Sequence, residues 1–107
     1  MKQLSCHVLD TANGKPAAGI QVQLFSLNDQ ICLAEATTDQ DGRAKFPELI
    51  LEKQGYTLRF LVAPYCDAQF GSAFFPLIDV NFNVYDEGNY HIPLLLSPFS
   101  YSSYRGS

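Results

Sequence analysis

Leu4-Ser5-Cys6-His7-Val8-Leu9 decides the fold. Leu4, Cys6 and Val8 point one way and Ser5, His7 and Leu9 the other, the period of a strand with one buried face. The same alternation returns along the chain. Ile20, Val22 and Leu24 interleave with Gln21, Gln23 and Phe25. Tyr56, Leu58, Phe60 and Val62 interleave with Thr57, Arg59 and Leu61. Ile78, Val80, Phe82 and Val84 interleave with Asp79, Asn81, Asn83 and Tyr85. Turn formers separate these runs: Asn13-Gly14-Lys15-Pro16, Asn28-Asp29, Asp41-Gly42, Gln54-Gly55 and Glu87-Gly88. Short strands at this spacing predict an all-β chain folded as an antiparallel sandwich or barrel. Only Pro64–Gly71 breaks the pattern, with room for two helical turns ending on a glycine C-cap.

The 107 residues suffice for one domain with one core. Hydrophobic residues make up 47% and charged residues 17%, the balance of a globular protein and not of a disordered one. A formal net charge of -4 with no basic run argues against nucleic acid as a partner. No apolar stretch approaches the roughly 20 residues of a membrane helix. Residues 1–7 lack a hydrophobic signal core, so a cytoplasmic protein is expected, or a periplasmic one if a leader was removed. Cys6, Cys32 and Cys66 are odd in number and widely spaced. They read as reduced thiols acting as small hydrophobes, without disulfides or zinc.

Asn89-Tyr90-His91-Ile92-Pro93-Leu94-Leu95-Leu96 is a further strand pattern. With Ile92, Leu94 and Leu96 toward the core, His91, Pro93 and Leu95 face outward. Proline in a strand is expected at an edge or bulge. An outward face of this kind is expected to pack against another subunit, giving a homo-oligomer.

The chemistry-bearing residues lie on the polar faces. His7 and His91 are the only histidines, both outward, and histidine exchanges protons near neutral pH. Arg43 follows the Asp41-Gly42 turn, where its planar donors suit a carbonyl oxygen, a carboxylate or a developing oxyanion. The alternating Ser100–Tyr104 run delivers Tyr104-Arg105-Gly106-Ser107, an arginine, a glycine and a carboxylate, to a fixed place. Together these groups suit binding and hydrolysis of a small polar, anionic or carbonyl-rich molecule. A serine nucleophile elbow, a phosphate loop and a metal-ligand set are absent from the sequence, and no metal or cofactor is expected.

These segments resemble the transthyretin-like 5-hydroxyisourate hydrolase family along the whole chain. The resemblance runs through Cys6–Thr11, Gly14–Ile20, Thr38–Arg43, Phe74-Phe75-Pro76, Tyr90–Phe99 and Tyr104–Ser107. The early segments are also similar to unrelated adhesive β-sandwich modules. The closing Tyr-Arg-Gly-Ser is the specific mark, and it separates the hydrolases from hormone-carrying transthyretins. Where many members read His-Tyr-His this chain reads Asn89-Tyr90-His91; the functional histidine matches His91.

The resemblance implies a two-sheet sandwich of about eight strands with one short helix. It also implies a homotetramer, a dimer of dimers with active sites in a channel between dimers. The implied reaction opens the ring of 5-hydroxyisourate at an acyl–nitrogen bond, giving 2-oxo-4-hydroxy-4-carboxy-5-ureidoimidazoline, without a cofactor. His7 and His91 would be base and proton shuttle, with Arg43 on the carbonyl oxygen. Tyr104, Arg105 and Gly106 would bind the flat ring, Arg105 in one version from a neighbouring subunit. The Ser107 carboxylate would orient a histidine. The rival readings are a transthyretin-like small-ligand carrier and an adhesive sandwich module.

Overall fold

A computed structural model describes residues 3–47 and 49–106. In chain order the elements are β1 (Leu4–Asp10), β2 (Lys15–Pro16), β3 (Gln21–Ser26), β4 (Cys32–Thr37), β5 (Arg43–Phe46), β6 (Gly55–Leu61), α1 (Ala63–Phe70), β7 (Ile78–Asn83), β8 (Tyr90–Leu96) and β9 (Tyr101–Ser103). They form two sheets. One runs β2-β1-β8-β9, with β5 also on β1; the other runs β4-β3-β6-β7. All pairs are antiparallel except β1 with β8, which run parallel.

The alternation decides which faces meet. Leu4, Cys6, Val8, Ile92, Leu94 and Leu96 are buried from the first sheet, and Val22, Leu24, Leu58, Phe60 and Ile78 from the second. Each such side chain contributes about 1.5–3 kcal/mol by leaving water. Thr38 is buried between the layers. Its hydroxyl donates to the Ala17 carbonyl at 2.8 Å and accepts from the Ile20 N–H at 2.9 Å. Helix α1 ends where expected, on Gly71 at φ 85°. No helix among the described residues is long and apolar enough to cross a membrane.

Three expectations change. Pro93 is buried within the protomer, because Gly106 of the same chain lies over its ring. It also sits in an inner strand and not at an edge. The β8–β9 ladder lapses there, since proline has no N–H to give, and the Pro93 carbonyl instead accepts from Ser103 Oγ at 2.8 Å. Finally, Cys6 and Cys66 are buried but Cys32, at the start of an edge strand, is exposed.

Candidate active site

Register across β5, β1 and β8 gathers the polar groups. Arg43 lies opposite His7 in the β1–β5 pair, and His91 lies opposite Ser5 in the β1–β8 pair. All stand on the outward face, so Arg43, His7 and His91 share one patch. The two imidazole centroids are 6.4 Å apart and tilted by 38°.

Each histidine has a fixed partner. His7 Nε2 is 2.8 Å from the Asp41 carbonyl oxygen. A carbonyl only accepts, so Nε2 carries a proton and Nδ1 is left to face the patch. His91 Nδ1 is 2.7 Å from Ser5 Oγ. Partial burial is the main force lowering the His91 pKa from 6.5, followed by the nearby charges of Arg43 and His7. The ring is therefore neutral at pH 7.

Arg43 is delivered by a turn wound on Asp39. The Asp39 carboxylate accepts from the main-chain N–H of Asp41 at 2.9 Å and of Arg43 at 3.0 Å. The Arg43 N–H is the main cause holding the Asp39 carboxyl below its ordinary range; the Asp41 N–H and the charges of Arg43 and His7 add to it. Gly42 closes the turn at φ 77°, and its carbonyl accepts from the Val8 N–H at 2.8 Å. Arg43 itself is exposed. A shallow cavity of about 250 Å³ opens over Gln3, Ser5, Arg43, Asn89, Tyr90 and His91.

The closing segment reaches this patch through Gly106. After β9 the chain leaves the sheet at Tyr104-Arg105 and rejoins it with a bridge from Gly106 to His91. The Gly106 N–H donates to the His91 carbonyl at 2.7 Å. A Cβ on Gly106 would lie 2.7 Å from His91 Cδ2 and 3.3 Å from Pro93 Cγ, so only glycine fits. Tyr104 is 58% exposed. Tyr104 and Arg105 wall a different cavity of about 360 Å³, between β7 and the closing segment. In the protomer the Arg105 guanidinium is engaged by Tyr85, Asp86 and Asn89 and does not point into the histidine patch. Ser107 lies outside the described residues.

Ser5, Asp39 and the Asp41 carbonyl escaped the sequence reading. Ser5 precedes His7 by two positions on the same strand face, which is a readable signal. Asp39 opens an Asx-type turn four residues before Arg43, also readable. The Asp41 contact is made by main chain, which no side-chain motif reveals. Of the thiols, burial pushes Cys6 up to about 12 and also raises Cys66, so neither is a nucleophile at neutral pH.

Comparison with known proteins agrees with this architecture. Residues 4–106 match the model of the HIUase/Transthyretin family. The chain is 46% identical to 5-hydroxyisourate hydrolase of Deinococcus radiodurans, over 97% of this chain and 95% of that protein. It superposes on the Klebsiella pneumoniae 5-hydroxyisourate hydrolase structure with a TM-score of 0.86 at 33% identity, covering 100% of both chains. Sea bream transthyretin in complex with thyroxine superposes with a TM-score of 0.82 at 28% identity, covering 96% of this chain and 93% of that one. On this evidence the chain belongs to the HIUase/Transthyretin family.

Proposed function

We infer that the chain is a 5-hydroxyisourate hydrolase of urate degradation, an enzyme that opens the substrate's six-membered ring with water. The observation that carries this reading is the histidine pair beside Arg43, with centroids 6.4 Å apart on one sheet face. Relatives of that name match the chain over nearly its full length.

The ring opening needs a base for water, a stabiliser for the oxyanion and a proton for the departing nitrogen. His91, held neutral, takes the water's proton as the oxygen bonds to the acyl carbon. Arg43 holds the carbonyl oxygen while its charge develops. The C–N bond then breaks. His7 relays the proton from His91, across one bridging water, to the nitrogen. Tyr104 offers an exposed ring for stacking. Ser107, one residue beyond Gly106, is the proposed orienting group.

We also propose a homotetramer. Support comes from exposed aromatic rings: Phe74 at 63%, Phe99 at 71% and Tyr101 at 43%. Phe74 meets Phe99 and Phe75, and Phe75 meets Tyr101, so the rings form one chain of contacts. The three free thiols suit a reducing, cytoplasmic setting.

A carrier on the same fold would need no histidine pair. Generating 5-hydroxyisourate from urate with urate oxidase, and following its absorbance with and without the protein, separates the two. A hydrolase speeds the decay beyond the spontaneous rate; a carrier leaves the rate unchanged, and that result would overturn the reading.

A further inference from the structure

Arg105 is the only cation of the closing segment, and both its terminal nitrogens and one face of its guanidinium meet the segment between β7 and β8. Nη1 donates to the Tyr85 hydroxyl at 3.0 Å. Nη2 lies 3.4 Å from the Asp86 carboxylate and 3.3 Å from the Asn89 carbonyl. The plane lies over Tyr90, with Cζ 4.1 Å from the ring centroid, and 5.5 Å from that of Tyr85. A planar fork that both stacks and donates is a task for arginine and not for lysine.

What it grips is itself tied down. The Tyr90 hydroxyl accepts from the Tyr85 N–H at 3.0 Å and donates to Asp86 Oδ1 at 2.9 Å. The Gly88 N–H also donates to Asp86 Oδ1, at 3.0 Å. The Tyr90 hydroxyl is the main cause holding the Asp86 carboxyl below its usual range, with Gly88 and Arg105 adding to it, so it is ionised when it meets Arg105. The loop between β7 and β8 is thus a preformed acceptor.

The chain positions complete the argument. Tyr90 directly precedes His91, and Gly106 directly follows Arg105. Arg105 therefore cross-links the neighbours of the two residues that meet at the Gly106–His91 bridge. We propose that Arg105 is a positioning residue: by clasping Tyr85, Asp86, Asn89 and Tyr90 it seats Gly106 on the His91 ring and fixes where the closing segment enters the site. Its catalytic consequence rests on the hydrolase reading; its structural content does not. The Arg105–Asp86 pair is partly exposed on both sides. Such pairs add little to global stability, so removing this one tests placement and not folding.

The Gly106 amide reports the clasp directly, because its only role in the sheet is the 2.7 Å bond to the His91 carbonyl. Hydrogen exchange followed by NMR compares the unaltered protein with Arg105→Ala, Arg105→Lys, Asp86→Asn and the Arg105→Ala/Asp86→Asn double variant. Arg105→Ala and Asp86→Asn should each speed Gly106 exchange about tenfold or more, with core amides such as Leu94 unchanged, the signature of a local opening. Arg105→Lys should recover part of the protection. The double variant should be no worse than the worse single, because one interaction is lost in both. In turnover, kcat should fall with KM nearly constant in both single variants. A rise in KM confined to Arg105→Ala, with Asp86→Asn and Gly106 protection unchanged, would overturn the proposal and assign Arg105 to the substrate. If the unaltered protein fails to hydrolyse 5-hydroxyisourate, the function falls, and the exchange data alone still decide the clasp.

Discussion

Gly106 has no room for a methyl group, since its Cβ would fall 2.7 Å from the His91 ring. Gly106→Ala should therefore push the ring off Ser5 and cut kcat sharply, with the thermal midpoint little changed; full activity would show that the ring position is not critical. His91→Ala should lower turnover by roughly a hundredfold, the usual worth of a general base, with the fold intact. The lowered His91 pKa gives a pH prediction. The ring loses its proton below pH 6.5 in the free folded protein, so the acidic limb of the kcat/KM profile should lie below 6.5. Stability shifts in the same direction: the unfolded chain binds that proton first, so this group destabilises the fold as pH falls through 6.5. An acidic limb above 6.5 would contradict the assignment. At this scale the sequence placed His7 and His91 on one outward face, because a strand's alternation shows which face they occupy. It could not announce Ser5 as the partner of His91, because that depends on which strand lies beside β1.

Two elements carry the site, and each has a weak point. The turn between β4 and β5 presents Arg43 and depends on Gly42, at φ 77° with a would-be Cβ 2.5 Å from the Val8 carbonyl. Gly42→Ala should cost about 1–2 kcal/mol or more from the left-handed backbone alone, and should reduce activity by moving Arg43. Chemical denaturation and turnover together check it. At the far end of β1, Asp10 is 1% exposed. It accepts from Tyr65 Oη at 2.7 Å and from the Asn13 N–H and amide at 2.9 and 2.8 Å. Burial pushes this carboxyl up, but the bonds from Asn13, Tyr65 and Ala12 together outweigh it, and the pKa ends below 3.8. Its contribution is therefore complete above the ordinary carboxylate range and is lost as pH falls through the lowered value. Tyr65→Phe, which removes one of the two donors on Asp10 Oδ2 and leaves the Asn13 amide, should cost about 1.5–3 kcal/mol near neutral pH, the worth of a hydrogen bond to a charged group; an unchanged denaturation midpoint would refute the role. Strands with large alternating residues, such as β6, were legible. β4 was not, because Ala34 and Ala36 on its inner face are too small to mark a period. The parallel pairing of β1 with β8 was also hidden, since strand neighbours far apart in sequence leave no local trace.

The whole molecule places the candidate site on the outside of a sandwich, where the proposed assembly would enclose it. The sequence argued for an oligomer from Pro93 and Leu95. The structure moves that argument, because Pro93 is covered by its own chain and the exposed aromatics around Phe74, Phe99 and Tyr101 take its place. Sedimentation at micromolar concentration should give the mass of four protomers, and a monomer would refute the assembly. The all-β sandwich was legible wherever large residues alternate, because there its information is periodic. The site was legible only in its side chains. Its main-chain parts, the Asp41 carbonyl and the Gly106 bridge, arise from tertiary contacts. The most direct test of the central claim is the decay of 5-hydroxyisourate followed side by side in buffer, with this protein and with its His91→Ala variant. The account predicts fast decay with the protein and a rate close to buffer with the variant. Equal rates in all three, or equal acceleration by both proteins, would contradict it.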